Sequence, residues 1–411
     1  MAKDVLTKEI PGTLLLAPEV IEDPYPFYRR LQVHAPVWHV PRTDVFVVSS
    51  FAMVAEAVAR VDDFSSNMHY LLYRDDEGLP ARLSFGDAGV QTLATADPPV
   101  HTTHRRVVFP ELMAKRMAQL EPEIADLASR CVRRALDVRN VDFMAEVGNV
   151  VPITLTSRLI GFRGSDLDRL LEAAFDSTLL LGATLSLQKL QTLVERSGEV
   201  GVWIADQLSA ALEQPEDDIL GTVARGITSG ALGLPEGIGT LLILLSAGGE
   251  STTSLLGNSV RILAERKDLQ DQLRQQPEFI PAFVEEALRL ESPFRYHLRT
   301  APRNTVLGEV DIPAGATVLL FWGAANRDPA EYERPDEVIL DRQVPRHHLA
   351  FGRGIHFCVG APLARLEGRI VLTQLLEQTR SITLDPDQAP RRVESLMVRR
   401  HERLPVHVAP Q

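Results

Sequence analysis

The chain has 411 residues, of which 45% are hydrophobic and 24% charged, and its formal net charge is −12 at pH 7. This composition supports a substantial core, and the acidic excess argues against a protein that binds nucleic acid through bulk electrostatics. Its two cysteines, Cys131 and Cys358, are too few for a disulfide framework or a cysteine-rich zinc site, so we expect a reducing, cytoplasmic location.

A short apolar run, Leu14 to Ala17, lies near the N-terminus. It is too short to cross a membrane and lacks the layout of a signal peptide, so we expect no membrane anchor. A short helix is predicted at Asp23 to Tyr28, followed by two strands of a hairpin at Val37 to Val40 and Val45 to Val48. Helical spacing of apolar residues dominates from Pro110 to Leu290.

One long helix is predicted from Pro235 to about Glu265, with a length of about 45 Å. Its middle contains Gly248 and Gly249, each of which costs about 1 kcal/mol relative to alanine in a helix. Polar residues follow directly at Glu250 to Thr253. Such a segment is either a tolerated kink in a core helix or a groove where the helix opens to admit a ligand.

The C-terminal part alternates between short strands and one helix. Strands broken by proline and glycine are predicted within Leu298 to Leu320, and Pro345 to Gly360 is predicted to be irregular. A helix is predicted at Leu363 to Gln378 and a hairpin at Glu394 to Val408. The chain is therefore predicted to be mainly α with a smaller β-rich region gathered from both ends, an α+β protein.

The segment Phe351 to Gly360 is a glycine-punctuated loop with Cys358 near its end, directly before the last predicted helix. Backbone N–H groups and the positive end of a helix dipole at the sulfur favour thiolate over thiol. Gly352 and Gly360 allow tight turns and a close approach to a flat ligand. A thiolate in such a loop can hold haem iron. The alternative is a buried structural cysteine.

Phe351, Gly354, Cys358 and Gly360 resemble the haem-binding loop of the cytochrome P-450 family, Phe-x-x-Gly-x-x-x-Cys-x-Gly. The resemblance implies the fold of that family, with haem b between the long central helix and the helix after the cysteine loop, and Cys358 as the axial iron ligand. It also implies a single domain over 1–411, with a helix-rich body at about 97–290 and 360–380 and a β-rich part at about 37–48, 298–320 and 394–408.

Ala247 to Thr252 resembles the oxygen-activation segment of the family, Ala/Gly-Gly-x-Asp/Glu-Thr-Thr. In that family the acid and the following alcohol manage water and proton delivery. The alignment gives Glu250 the acid role and Ser251 the alcohol role, where threonine is usual. Thr252, about 100° further round the helix, is the second candidate for the alcohol.

The segment Asp97 to Arg105 resembles the family's Asp-Pro-Pro-x-His-x-x-x-Arg, whose histidine and arginine bind the haem propionates. His101 and Arg105 lie four residues apart on one helical face. Arg299 and His356 match the two other propionate partners. The cofactor-binding residues implied by the resemblance are therefore His101, Arg105, Gly248, Arg299, Phe351, Gly352, His356, Cys358 and Gly360.

A Glu-x-x-Arg pair, Glu286 and Arg289, matches a scaffold motif of the family in which a second arginine completes a buried ion group. Arg342 matches that second arginine. By itself such a pair is more commonly a weak surface contact. Within the resemblance, the three residues are predicted to stabilise the fold without taking part in the chemistry.

The regions that would contact substrate in this family are mostly apolar here, which predicts an apolar organic substrate. Arg295 and His297 are polar exceptions that either face the pocket or the surface. The apolar residues expected to line the pocket are Leu71, Leu72, Leu179, Leu180, Leu181, Leu185, Leu245 and Met397.

The sequence contains no flavin or nicotinamide fingerprint and no iron–sulfur ligand set. Electrons are therefore expected from a separate ferredoxin and ferredoxin reductase. An acidic ferredoxin would be attracted to a basic cluster near the cysteine loop, which could also be an ordinary solvated run. The members of this basic cluster are Arg346, His347, His348, Arg353 and Arg365.

The resemblance implies a monooxygenase of the bacterial type without an N-terminal anchor, and the Gly-Gly-Glu-Ser form of the central helix resembles an actinobacterial branch. Two alternatives remain within the same fold. One is a peroxide-driven enzyme, but those members replace the acid and alcohol by an arginine, whereas this chain keeps Glu250 and Ser251. The other is a haem protein without catalytic activity.

Overall fold

The computed structural model describes residues 10–84, 90–164 and 166–411. The α-helices in this part of the chain are α1 Pro18–Glu22, α2 Tyr25–His34, α3 Phe51–Ala59, α4 Val100–Val108, α5 Ala114–Met117, α6 Glu121–Val138, α7 Val150–Ile160, α8 Leu167–Leu179, α9 Leu187–Glu213, α10 Ile219–Thr228, α11 Leu234–Glu265, α12 Lys267–Gln275, α13 Ile280–Leu290, α14 Trp322–Ala325 and α15 Ala361–Gln378.

The strands are short and come mainly from the two ends of the chain. They are β1 Val37–His39, β2 Val45–Val48, β3 Tyr70–Arg74, β4 Pro80–Ser84, β5 Asn140–Asp142, β6 His297–Thr300, β7 Thr305–Leu307, β8 Val310–Ile312, β9 Thr317–Leu320, β10 Thr379–Leu384, β11 Arg391–Arg392, β12 His401–Arg403 and β13 Pro405–Pro410. The mainly α architecture with a smaller β-rich part is confirmed. Among the described residues, no helix is both long enough and apolar enough to cross a membrane.

The long helix α11 runs through the helical body and contacts α7, α8, α9 and α15. It is continuous over 32 residues despite the glycine pair in its middle. A Cβ at Gly249 would lie 3.2 Å from the side chains of Ala174 and Ile153. The glycine therefore lets α7 and α8 approach the central helix closely, which offsets its low helix propensity.

The largest sheet has the strand order β1-β2-β9-β6. β2 runs parallel to β9, and β6 pairs antiparallel with β9 on its other side. The predicted strands from about 37–48 and 298–320 therefore meet in one sheet, as expected. Because side chains alternate along a strand, His297 and Arg299 of β6 lie on the same face of this sheet.

The predicted hairpin at Glu394 to Val408 is wrong. β12 pairs with β11, whereas β13 pairs with β10 and β5 in a separate sheet. The alternate residues Val406 and Val408 of β13 are buried in the helical core together with Ile382 of β10. Burial of that apolar face favours pairing of β13 with β10 over a turn back onto β12.

A buried ion group joins α13 to the irregular segment before the cysteine loop. Glu286 is 0% exposed and Arg289 is 1% exposed, with Arg289 Nε donating to Glu286 Oε1 at 2.8 Å. Arg342 Nε donates to the same oxygen at 3.0 Å, and Ile339 N donates to Oε2 at 2.9 Å. Burial raises the pKa of Glu286, but Arg289 and Arg342 outweigh it and hold the pKa below its ordinary value. The predicted triad is confirmed.

Replacing Arg289 by alanine is expected to destabilise the protein by about 3–5 kcal/mol, because it leaves the Glu286 carboxylate buried with one fewer partner. Chemical denaturation of the purified variant measures this. Arg391→Ala is the control, because Arg391 pairs with Glu402 at 2.8 Å on the surface, with side chains 64% and 48% exposed. Its loss should cost less than about 1 kcal/mol. Equal effects of the two changes would contradict a structural role for the triad.

Candidate functional site

A cavity, called here the first cavity, lies between the middle of α11 and the cysteine loop. α4, α7 and β6 contribute to its walls. Several predicted site residues line it, namely Arg105, Gly248, Ser251, Thr252, Arg299, Phe351, Gly352, His356, Cys358 and Gly360.

Cys358 lies at the N-terminal end of α15, which begins at Ala361. Its backbone N donates to Phe351 O at 2.9 Å, which closes the loop. Gly352 and Gly354 have φ values of 68° and 70°, in the left-handed region that favours glycine. The loop thus holds the sulfur at the edge of the first cavity.

The thiol alone does not ionise easily in this position. Burial raises the pKa of Cys358, and the N–H groups of Gly360 and Ala361 with the charge of Arg105 lower it by less. The N–H groups of Gly360 and Ala361 act on the sulfur in the expected direction, but desolvation outweighs them in the chain alone. A coordinated metal cation would supply the missing stabilisation of the thiolate.

Four nitrogen-bearing side chains gather beside the cysteine loop. The rings of His101 and His356 lie with their centroids 4.2 Å apart. Arg105 Nη2 donates to Phe357 O at 2.9 Å, and Arg299 Nη1 donates to Leu298 O at 2.8 Å. Within the described residues, none of His101, Arg105, Arg299 and His356 forms an ion pair with a carboxylate. We call these four residues the cationic cluster.

The cationic cluster has the electrostatics of a site for an anion. Burial, followed by Arg299 and His101, lowers the pKa of His356 to about 3, and burial lowers the pKa of Arg299 to about 10. The Nε2 atoms of His101 and His356 are buried and have no hydrogen-bond partner in the described part of the chain. Orphaned donors of this kind cost free energy unless a ligand satisfies them. The two carboxylates of haem, beside a cysteine for its iron, fit this arrangement.

The acid and the alcohols of α11 face different spaces. Ser251 and Thr252 line the first cavity, and Ser251 Oγ donates to Ala247 O at 2.6 Å. Glu250 is 1% exposed and lines a second cavity instead. Its carboxylate accepts hydrogen bonds from Arg400 Nε at 2.8 Å and Thr178 Oγ1 at 3.0 Å.

The pKa of Glu250 is raised because burial disfavours its charged form more than Arg400 and Thr178 favour it. Arg400 also lies over the ring of Phe175, with its guanidinium carbon 3.7 Å from the ring centroid. No sequence pattern points to these partners, since Thr178 and Arg400 come from α8 and from the segment before β12. The second cavity also contains Asp176, so an acidic surface adjoins Glu250.

Gly248 lines the first cavity, but its missing side chain faces helix α7. A Cβ there would lie 2.7 Å from Thr156 Oγ1. Thr156 lines the same cavity. The packing of α11 against α7 therefore requires glycine at this position, in addition to the expected close approach of a cofactor.

The apolar lining of the first cavity comes from residues other than those expected. Leu71, Leu72, Leu245 and Met397 are buried in the core, and none of the eight expected residues lines this cavity, although Leu179 lines the second. Leu245 misses the cavity because successive side chains of a helix point about 100° apart, and neighbouring Leu244 faces the cavity instead. The apolar lining residues include Leu93, Leu159, Ile243, Leu244, Leu255 and Phe294.

Arg295 and His297, the two polar residues in the regions expected to contact substrate, lie in different surroundings. Arg295 is 2% exposed and donates to Ile21 O at 3.0 Å and to Ser395 O, so it ties chain segments together and does not line the cavity. His297 lines the first cavity, and its Nδ1 accepts a hydrogen bond from Trp322 Nε1.

The predicted basic cluster is largely neutralised, which corrects the expectation of a free cationic patch. Arg365 donates to Glu285 at 2.6 Å, and buried His348 bonds the same carboxylate at 2.9 Å. Arg346 lies 3.7 Å from Glu285, and His347 bonds Glu331. Arg353 is exposed.

Glu367 of α15 was missed in the sequence. It is 1% exposed, lines the first cavity, and its Oε2 has no hydrogen-bond partner among the described residues. Burial raises its pKa well above the ordinary value, because the charged carboxylate is disfavoured away from water. In the sequence it is one acidic residue on a helix, without a pattern that distinguishes it from surface glutamates.

Comparisons with known proteins agree with this geometry. The family model described as Cytochrome P450 matches residues 238–406. The chain is 38% identical over 392 residues to Cytochrome P450 144 of Mycobacterium tuberculosis, which covers 95% of this chain and 90% of that protein. It is 34% identical over 372 residues to beta-dihydromenaquinone-9 omega-hydroxylase of the same species, which covers 87% and 71%. The crystal structure of CYP109E1 from Bacillus megaterium with testosterone has a TM-score of 0.84 at 26% identity, covering 95% of this chain and 98% of that one.

Glu367→Gln is expected to make the protein progressively more stable than the wild type as pH rises above about 4.5. The unfolded chain ionises there while folded Glu367 keeps its proton, so the wild type loses about 1.4 kcal/mol per pH unit that the variant does not lose. Denaturation of both proteins at about pH 5.5 and at about pH 7.5 measures how the difference in their free energies of unfolding changes with pH. Glu377→Gln, an exposed position on the same helix, is the control. A difference that stays constant with pH would contradict a neutral Glu367.

Proposed function

The chain belongs to the cytochrome P450 family and is a haem monooxygenase, and we propose that it inserts one oxygen atom of dioxygen into an apolar organic substrate, with electrons from a separate ferredoxin and its reductase. We further propose that it acts in the cytoplasm as a single domain over residues 1–411. The observation that carries the proposal is the combination of Cys358 with the cationic cluster at one end of an apolar cavity.

The proposed cofactor is haem b, whose porphyrin carries no covalent bond to the chain. Cys358 would hold the iron through sulfur, and the cationic cluster would bind the carboxylates. Phe351, Gly352 and Gly360 would approach its face from the cysteine loop. When bound, haem supplies the redox chemistry that activates dioxygen.

Ser251 and Thr252 are proposed to hold water and pass protons in the first cavity. Because Ser251 donates its hydroxyl proton to Ala247 O, its lone pairs remain able to accept from a water molecule. Glu250, with its raised pKa, is proposed to exchange protons with the second cavity. Glu250 and Ser251 are adjacent on α11 and line different cavities, so a proton taken up at Glu250 is proposed to reach the first cavity through this segment of the helix.

A bulky apolar substrate fits the lining of the first cavity. Support also comes from relatives, since one is named for hydroxylation of a dihydromenaquinone and another is solved with testosterone. These compounds are extended or fused hydrocarbon skeletons with few polar groups. The proposed substrate class is therefore a large apolar molecule.

The ferredoxin is proposed to dock beside the cysteine loop, on the side away from the substrate. Arg365 is the close partner of Glu285, so the exposed cations left for an acidic partner are Arg106, Arg346 and Arg353. Exposed apolar side chains lie beside Arg106, with Phe109 41% and Ile355 38% exposed. The positive charges would steer the approach of the acidic ferredoxin, and the apolar side chains would become buried when the two proteins make contact.

Cys358→His should abolish thiolate ligation of the haem. The ferrous carbon monoxide complex of the wild type should show the strongly red-shifted Soret band of a thiolate ligand, and the variant should lose it. Cys131→Ala is the control, because Cys131 is buried in the helical core and should leave the spectrum unchanged. An unchanged spectrum in Cys358→His would overturn the proposal.

Ser251→Ala should lower the product formed per electron pair by about tenfold, with the remaining electrons recovered as hydrogen peroxide, and should leave the dissociation constant of a ligand nearly unchanged. The measurement compares electron consumption, product and peroxide with a ferredoxin system. Ser246→Ala is the matched control, since Ser246 makes the same contact one turn earlier, to Leu242 O at 2.7 Å, and does not line the first cavity.

Thr252→Ala separates the two alcohols. If Ser251→Ala stays coupled and Thr252→Ala does not, the role belongs to Thr252. Full coupling in both variants would contradict the proton-delivery role of this segment of α11.

A further inference from the structure

We propose that His297, held in place by Trp322, donates a hydrogen bond from Nε2 to a haem carboxylate. It would thereby join the four residues of the cationic cluster in binding the carboxylates of the cofactor. The inference rests on the proposed function, because it requires haem in the first cavity. It adds a further neutral hydrogen-bond donor beside the two charged members of the cationic cluster, Arg105 and Arg299.

Trp322 fixes the protonation of the His297 ring. The indole Nε1 can only donate, and it donates to Nδ1 of His297. Nδ1 is therefore unprotonated, and the ring proton must reside on Nε2. Burial, followed by the charge of Arg299, lowers the pKa of His297 to about 3, which agrees with a neutral ring. His297 thus presents one N–H donor and no charge.

The sheet places this donor beside the cationic cluster. His297 pairs with Leu320 and Arg299 pairs with Val318, so the two side chains leave β6 on one face, two residues apart. Both residues line the first cavity. The charge of a protonated His297 would also lower the pKa of His356, which places the ring near that member of the cluster.

The donor needs an acceptor. No hydrogen bond from His297 Nε2 to a described residue is present, whereas its Nδ1 is bonded. Asp97, the carboxylate that acts electrostatically on Arg299, already accepts from Ser65 Oγ and Ser66 N. A ligand oxygen that enters the cavity would give this N–H a hydrogen-bond partner.

A carboxylate is the favoured acceptor because Arg299 lies next to the donor on the same strand face. The positive charge of Arg299 attracts an anionic oxygen to this end of the cavity, and His297 can share it without adding to the mutual repulsion within the cationic cluster. A neutral donor therefore strengthens the site at less electrostatic cost than a further cation beside Arg105 and Arg299 would.

The test measures the rate at which ferric holoprotein loses haem to excess apomyoglobin. His297→Leu removes the donor and should raise this rate by about tenfold, as expected for the loss of one hydrogen bond to a charged acceptor. His297→Gln carries an amide N–H near the position of Nε2 and should stay within about threefold of the wild type. Trp322→Phe frees the ring to reorient and should give an intermediate rate. The reduction potential of the haem should shift in the same order.

His401→Leu is the control for loss of a buried histidine, since His401 is 1% exposed and does not line the first cavity. Its rate should equal that of the wild type. Equal acceleration in His297→Leu and His297→Gln would indicate only disturbed packing and would overturn the inference, as would unchanged rates in both.

A second measurement tests the competing acceptor, an oxygen on the substrate. Spectral titration of each holoprotein with 4-phenylcyclohexanone and with phenylcyclohexane compares ligands that differ in one carbonyl. The relative affinity should be the same in wild type and His297→Leu. A ketone preference that the variant loses, with an unchanged rate of haem loss, would overturn the inference. Failure of the wild type to bind haem through sulfur would instead contradict the proposed function.

Discussion

Positive charge at the base of the first cavity is the constraint on which the site depends. Arg105 of α4 and Arg299 of β6 supply this charge, and no ion pair within the described residues balances them. His101 and His356 add buried ring nitrogens, and burial and their neighbours hold the pKa values of both histidines down. An isolated group of this kind would be a net loss of stability. A dianionic cofactor would turn the same residues into favourable contacts, so folding and cofactor binding would be coupled in this part of the molecule.

The separation of Glu250 from Ser251 follows from the geometry of one helix. Adjacent residues on α11 project about 100° apart, so the acid reaches the second cavity and the alcohol reaches the first. Gly248 and Gly249 let α7 and α8 pack closely against this turn. One stretch of helix therefore presents an acid to one cavity and an alcohol to the other.

Features set by local sequence were predicted well, and features set by distant partners were not. The long helix and the cysteine loop follow from periodicity and glycine spacing, whereas burial of the Glu286–Arg289 pair was predicted only through the family resemblance. The basic cluster was misjudged because its partner, Glu285, lies on α13 and charge pairing across the chain leaves no local signature. Glu367 was missed for the same reason, since its burial depends on packing of α15 against the rest of the core.

The pairing of β13 shows another limit of prediction from sequence, because burial of apolar side chains decides which strands pair. A hairpin from Glu394 to Val408 satisfies local turn chemistry, yet β13 buries Val406 and Val408 by joining β10 and β5. The substrate-facing leucines show the same limit on a helix. Leu244 and Leu245 are equally apolar, and only the tertiary position of α11 decides which of them faces the cavity.

Two neighbouring carboxylates of α13 connect the fold to the cysteine loop. Glu286 holds Arg289 and Arg342, whereas Glu285 holds Arg365 at the start of α15. Arg365 lies over the ring of Phe351, 4.5 Å from its centroid, so the beginning and the end of the loop are fixed through one ion pair. Burial raises the pKa of Glu285, but its partners His348 and Arg365 outweigh this and lower it to about 2. The carboxylate stays charged at neutral pH, and the position of Cys358 depends on an interaction made outside the cavity that it serves.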